Sequence, residues 1–336
     1  MSKTIQIFCR NISRYVDVEG GATLAEIAKM PEVNLGFRPI CALANNKTEH
    51  LGFQVFAPKE IEFLDSSSSV GRDVYVRSLC MIVYRALHDI DPSLTIRIEH
   101  SIAKGLFCRI FDAFMCHFAV NHDFADALVS GMRRLVDADL PFIRHEKLTA
   151  DVIEMFRRQH LYDKVRLLET VPEIYTSYYD LDGLADSFYG PLAPSTGHVG
   201  VFDLIPWQDG LLMLGPDLAN PDMPCAPVTQ EKMFRAFTEH LNFNRVIRVS
   251  SVGELNRAVE RGETSDLINV AEAMHDKLIG RISDDILDRK RQGGGSIILI
   301  AGPSSSGKTT TSKRLAIQLM TNLMRPKLIS LDDYFV

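Results

Sequence analysis

The segment Gly302-Pro303-Ser304-Ser305-Ser306-Gly307-Lys308-Thr309 satisfies the pattern G-x-x-x-x-G-K-[ST] at every fixed place. A loop of this kind has a narrow physical use. Its glycines let the backbone turn its N–H groups inward, and the helix that follows aims its positive end at the same point, so the loop closes round a phosphate. The flanks suit it. Residues 296–301 form an apolar run of the kind shown by a strand buried on both faces, and residues 309–320 read as a helix with Leu315, Ile317 and Leu319 available for packing. Strand, loop and helix in that order predict a nucleoside triphosphate site on a parallel α/β sheet. Gly302, Pro303, Ser304, Ser305, Ser306, Gly307 and Thr310 would wrap the phosphates of ATP, Lys308 would neutralise the β- and γ-phosphates, and Thr309 would ligate Mg²⁺.

A second short apolar run, residues 327–331, ends at Asp332-Asp333-Tyr334-Phe335. In an open parallel sheet reactive groups sit just beyond the carboxyl ends of the strands. A carboxylate there either takes a proton from an acceptor hydroxyl or helps hold the metal.

The rest of the 336-residue chain is long enough for two or three domains. Residues 4–9 alternate like a half-buried strand, with residues 13–18 as its hairpin partner. Thr23 starts a short helix with Glu26 as the capping-box acid. Residues 39–44 and 60–64 supply further strands, giving a small α+β roll over residues 1–65. The serine run 66–69 marks a boundary. Beyond it come helical periodicity over 74–88, strands over 95–98 and 107–111, helices over 123–137 and 149–159, and hairpins between 173 and 214. Residues 251–291 place apolar side chains three and four apart among charges, capped by Ser251, as one or two amphipathic helices. Gly293-Gly294-Gly295 then breaks the chain. The fold class is multidomain, α+β followed by α/β. It divides as residues 1–65, 70–245, a helical linker 246–292, and the phosphate-loop region 293–336.

Charge bears on partners. The chain carries a net −6, but residues 66–292 carry −8 while residues 293–336 carry +3. The acidic middle argues against extended RNA contact. The six cysteines form no C-x-x-C pair, which fits a reducing compartment, and no apolar run reaches the length of a membrane span. These observations predict a cytoplasmic protein with no membrane partner.

The strings 302–310 and 330–335 resemble the uridine kinase and phosphoribulokinase family of P-loop kinases. That resemblance implies that Asp332 is the catalytic base on a nucleoside 5′-hydroxyl, with Lys308 beside it, and that Tyr334 and Phe335 line the nucleoside pocket. Residues 1–65 resemble the β-grasp (TGS) module at the head of threonyl-tRNA synthetases. Residues 70–245 resemble the second additional domain that follows it, through Gly190-Pro191-Leu192-Ala193-Pro194-Ser195-Thr196-Gly197. The whole order resembles the long nucleoside kinases of bacteria. It implies an ATP- and Mg²⁺-dependent kinase acting on a uridine-like nucleoside, with the further strands and acceptor lid of the kinase after Val336. The alternative is an RNA- or nucleotide-sensing P-loop protein with tRNA-binding synthetase-like modules.

The synthetase domain is an editing hydrolase with H-x-x-x-H on its first helix and a later Cys and His. Here those places hold Arg77, Met81, Phe188 and Leu192. The resemblance therefore implies a retained fold with its hydrolytic ligands lost.

Overall fold

A computed structural model describes residues 4–112 and 114–331. The chain forms two compact units, Met1–Phe243 and Asn244–Val336. It is a mixed α and β chain, with four sheets and nine α-helices among the described residues.

The first unit opens with the small roll. Strand β1 (Thr4–Cys9) runs antiparallel to β2 (Arg14–Glu19), with the turn closed by Ser13 in a left-handed conformation. After β3 (Ala22–Thr23), helix α1 (Leu24–Ala28) starts at a complete capping box: the Glu26 amide donates to Thr23 Oγ1, and the Glu26 carboxylate accepts from the Thr23 amide at 2.8 Å. Strands β4 (Cys41–Ala44), β5 (Lys47–Glu49), β6 (Gln54–Val55) and β7 (Glu60–Leu64) complete it. The main sheet has the order β2-β1-β7-β4-β5, with β1 and β7 parallel. Ile7, Cys9, Leu24, Ile27, Ile61 and Phe63 fill its own core.

A larger core follows. Helix α2 (Ser69–Ile90), capped by Ser68, is buried over most of its circumference. It lies in one core with residues of β8 (Thr95–Ile102), β9 (Gly105–Phe111) and α3 (His122–Asp137). Then come β10 (Ile143–Leu148), α4 (Thr149–Arg158), α5 (Tyr162–Leu168), β11 (Tyr175–Leu181), β12 (Leu184–Asp186), β13 (Asp203–Trp207) and β14 (Gly210–Leu214). They form two antiparallel sheets, β10-β11-β12 and β13-β14-β9-β8. Gly105 and Gly210 sit where these strands crowd: a Cβ on Gly105 would lie 2.6 Å from the Met213 carbonyl, and one on Gly210 would lie 2.3 Å from that of Cys108. Helix α6 (Glu231–Val246) sets Phe234 edge-on to Phe107 and Trp207.

The second unit is helical. Helix α7 (Val252–Glu260) is capped by Ser251, α8 (Thr264–Arg291) is the longest in the chain, and α9 (Lys308–Thr321) follows the glycine break. Ile279 of α8 packs on Leu315 and Leu319 of α9, with Ile286 alongside. Polar contacts close the same face: Arg314 pairs with Asp276 at 3.1 Å, and the Asn322 amide donates to Ser283 Oγ and to Asp284.

The two apolar runs expected as buried parallel strands are unpaired. Residues 297–300 and 328, 329 and 331 are exposed and join no described sheet. A strand is held by its ladder, and an apolar run with no strand at either edge has nothing to bond to.

Candidate functional site

The loop of residues 302–307 leads into α9. Gly307 is the N-cap residue at φ 82°, a left-handed conformation that glycine adopts without strain, and Ser305 at φ 59° makes the preceding bend. Gly302 is tightly placed: a Cβ there would lie 2.8 Å from Ser306 Oγ. The Ser306 amide donates to the Pro303 carbonyl, and the Thr311 amide donates to that of Gly307, which starts the helix. Lys308 Nζ donates to the Pro303 carbonyl at 2.8 Å, so the cation is folded over its own loop. Residues 302–307, Thr309 and Thr310 are exposed. The loop therefore presents backbone donors, hydroxyls and a cation at one helix end, a set with the chemistry to receive an anion. Asp332, Asp333, Tyr334 and Phe335 lie outside the described residues.

In the first unit, the four positions implied for editing are occupied differently. Arg77 Nε donates to the Pro191 carbonyl at 3.2 Å, and Gly190, at φ 117°, leaves room for the guanidinium, which a Cβ would meet at 3.0 Å. Met81 and Leu192 are fully buried in the large core. Phe188 lies under the Lys164 ammonium, 5.2 Å from ring centre to Nζ. Among the described residues no three His, Cys, Asp or Glu side chains come together to hold a metal.

A cluster beside these positions escaped the sequence reading. Lys164 of α5 is ion-paired and hydrogen-bonded to the buried Asp186 at the end of β12, and also donates to the Ser187 carbonyl. Burial pushes the Asp186 carboxyl up, against the pull of Lys164. Burial also raises the Tyr84 phenol, with Asp186 adding to the rise, and pushes the Cys80 thiol up to about 12, so that thiol stays protonated. The buried Tyr179 hydroxyl is raised too, opposed by the Leu192 backbone and by the nearby Arg144 and Arg77. These pairings join residues far apart in sequence and leave no local pattern.

The Pro-Ser-Thr-Gly turn is a clasp. Thr196 Oγ1 donates to the Leu135 carbonyl at 2.5 Å and accepts from the Leu140 amide at 2.8 Å. Ser195 Oγ donates to Asp139 and lies 2.8 Å from His198 Nδ1. Since the hydroxyl proton goes to Asp139, Nδ1 carries the proton of the imidazole. Arg38 of the roll reaches this turn, donating to the Gly197 carbonyl at 3.2 Å.

No family model matches the chain. A stretch of 180 residues, 53% of the chain, is 28% identical to a threonine–tRNA ligase of Syntrophomonas wolfei and covers 28% of that protein. The corresponding enzyme of Clostridium novyi is 25% identical over 193 residues, 57% of this chain and 30% of its own length. That of Hahella chejuensis is 29% identical over 150 residues, 43% of the chain and 22% of the relative. The chain thus spans less than a third of the length of these relatives. They overturn the nucleoside kinase assignment, with its uridine-like acceptor and its transfer to a 5′-hydroxyl, because the proteins this chain is similar to are tRNA ligases by name.

Proposed function

We propose that the chain is a tRNA-recognising protein whose second unit binds a nucleoside triphosphate with Mg²⁺. The carrying observation is the similarity, over more than half of the chain, to proteins named threonine–tRNA ligase. The first unit is the RNA-binding part, and it binds without hydrolysing: Arg77, Met81, Phe188 and Leu192 supply neither a metal ligand nor a nucleophile. Arg77 and Arg144, both close to Tyr179, are the cations there that would meet RNA phosphates, Arg144 exchanging its 3.5 Å pairing with Glu146 for them. The net charge of −8 over residues 66–292 is a poor guide here, because a terminal RNA segment meets only a few side chains.

In the second unit the backbone of residues 302–307 and the hydroxyls of Ser304, Ser305, Ser306 and Thr310 hold the phosphates. Lys308 swings from Pro303 to the β- and γ-phosphates, and Thr309 ligates Mg²⁺. Asp332 is assigned from sequence alone to the metal side of the same site.

The test is binding by the whole chain. Fluorescence anisotropy should show a labelled tRNA for threonine bound with an affinity that falls with salt. Arg77→Ala and Arg144→Ala should each weaken it and lower the salt slope by about one. A fluorescent ATP analogue should bind Lys308→Ala about 10- to 100-fold more weakly than the unaltered chain. Failure to bind tRNA at about 50 mM salt would overturn the RNA assignment. Equal analogue binding by Lys308→Ala would overturn the nucleotide assignment.

A further inference from the structure

Helix α6 covers one face of the sheet β13-β14-β9-β8 and is held there lightly. No residue of Glu231–Val246 is buried. The contacts it makes with the sheet are between rings. Phe234 stands 5.1 Å from Phe107 and 5.0 Å from Trp207, and Phe237 stands 4.4 Å from the imidazole of His100 on β8. A hydrogen bond anchors the chain just before the helix, where the Ala103 amide donates to Gln230 Oε1 at 2.8 Å. Two polar atoms of these same elements, His100 Nε2 and Thr238 Oγ1, are buried and make no hydrogen bond to any described residue. Water would satisfy both once the helix lifts, so both count against the closed position.

We propose that α6 is a proton-sensitive strap, which lifts from the sheet when His100 beneath it takes a proton and so uncovers Phe107 and Trp207. A neutral imidazole suits the rings of Phe107, Phe234 and Phe237 around it. An imidazolium would hold an N–H without an acceptor there, and tilted rings attract a cation only weakly. The surrounding charges do not welcome it. Arg109 of β9 repels it, and the carboxylates on that side are engaged with Arg109, Asp209 at 2.8 Å and Glu99 at 3.8 Å. The ionisable side chains of α6, Glu231, Lys232, Arg235, Glu239, His240 and Arg245, are exposed. Burial, and then Arg109, holds the His100 imidazole below its ordinary 6.5. The closed strap therefore favours the neutral ring, and closure weakens as pH falls below about 6.5, by at most about tenfold per unit for one proton.

Trp207 is the single tryptophan of the chain and reports the contact directly. Titrating the whole chain from pH 8 to 5 should move its emission to longer wavelength, with the change confined to pH below about 6.5. Amide exchange, corrected for intrinsic rates, should show the protection of residues 231–243 falling by up to about 30-fold between pH 7 and 5 while α2 and α3 keep theirs. His100→Phe keeps a ring in place and does not titrate, so both changes should disappear. Phe237→Ala removes the ring nearest His100 and should leave α6 less protected already at pH 7. Emission and exchange that ignore pH, or the same response in His100→Phe, would overturn the proposal. So would unchanged protection of α6 in Phe237→Ala. Equal loss of protection in α2 and α3 would show acid unfolding of the whole unit and overturn it too.

Discussion

Lys308 Nζ and the Pro303 carbonyl are joined by one hydrogen bond of 2.8 Å across the loop of residues 302–307. The bond neutralises nothing, since its acceptor is a neutral carbonyl in an exposed loop, and a phosphate would be a stronger partner.

Lys308→Ala should therefore cost nucleotide affinity and little else. Titration with a fluorescent ATP analogue should show a 10- to 100-fold weaker complex, the size expected for one charge-assisted contact. Urea unfolding should change by no more than about 0.5 kcal/mol. A large loss of stability at unchanged affinity would place the lysine in the scaffold instead.

Thr196 predicts the opposite balance. Its hydroxyl serves the Leu135 carbonyl in the last turn of α3 and the Leu140 amide just after the helix, in a fully buried position. Thr196→Val keeps the shape and orphans both groups, which should destabilise the first unit by about 2–4 kcal/mol. Thr196→Ser keeps the hydroxyl and should cost about 1 kcal/mol for the lost methyl. Urea midpoints of the two variants, compared at equal slope, measure the difference.

What the sequence could convey divides along physical lines. Thr23 and Glu26 encode their cap in four adjacent residues, and β7 lies where residues 60–64 alternate, because such signals are local. Lys164 and Asp186 meet only through the packing of α5 on β12, so nothing in either segment announces the pair. Residues 297–300 mislead for the reverse reason. An apolar run states that it would be buried if paired, but not that a neighbouring strand exists. The turn at Gly307 and the start of α9 were legible because the motif sets both within eight residues, whereas what the loop binds and the reaction it serves depend on partners the motif does not specify.

The first unit should lack hydrolytic activity towards misacylated tRNA. Met81 and Leu192 close the position with apolar side chains, and Arg77 is held against Pro191. Incubation with seryl-tRNA should give no more free serine than buffer, and added zinc should neither raise that rate nor shift the thermal midpoint. Zinc-stimulated deacylation would contradict this.

Acid should loosen the first unit through His198. Burial, with Arg38 nearby, lowers this imidazole from its ordinary 6.5 to about 4, so the folded protein favours the neutral ring. A histidine depressed on folding stabilises fully above the unfolded value, and that contribution is lost as pH falls from about 6.5 towards 4. Its ceiling is about 3 kcal/mol, and the true figure is lower because the ring is partly accessible and solvent screens it. His50 and His100 are also lowered by burial and tilt the curve in the same sense, so the informative quantity is a difference. Asp139 is held below the usual carboxylate range, chiefly by the Ser195 hydroxyl, and is common to both proteins compared. His198→Gln retains an amide donor for Ser195 Oγ but does not titrate. Chemical unfolding at half-unit steps between pH 7 and 4 should give a shallower pH slope for the variant, with the two curves parallel above about pH 7. Identical slopes would show that His198 ionises freely in the folded protein and that the clasp at Ser195 imposes no constraint on it.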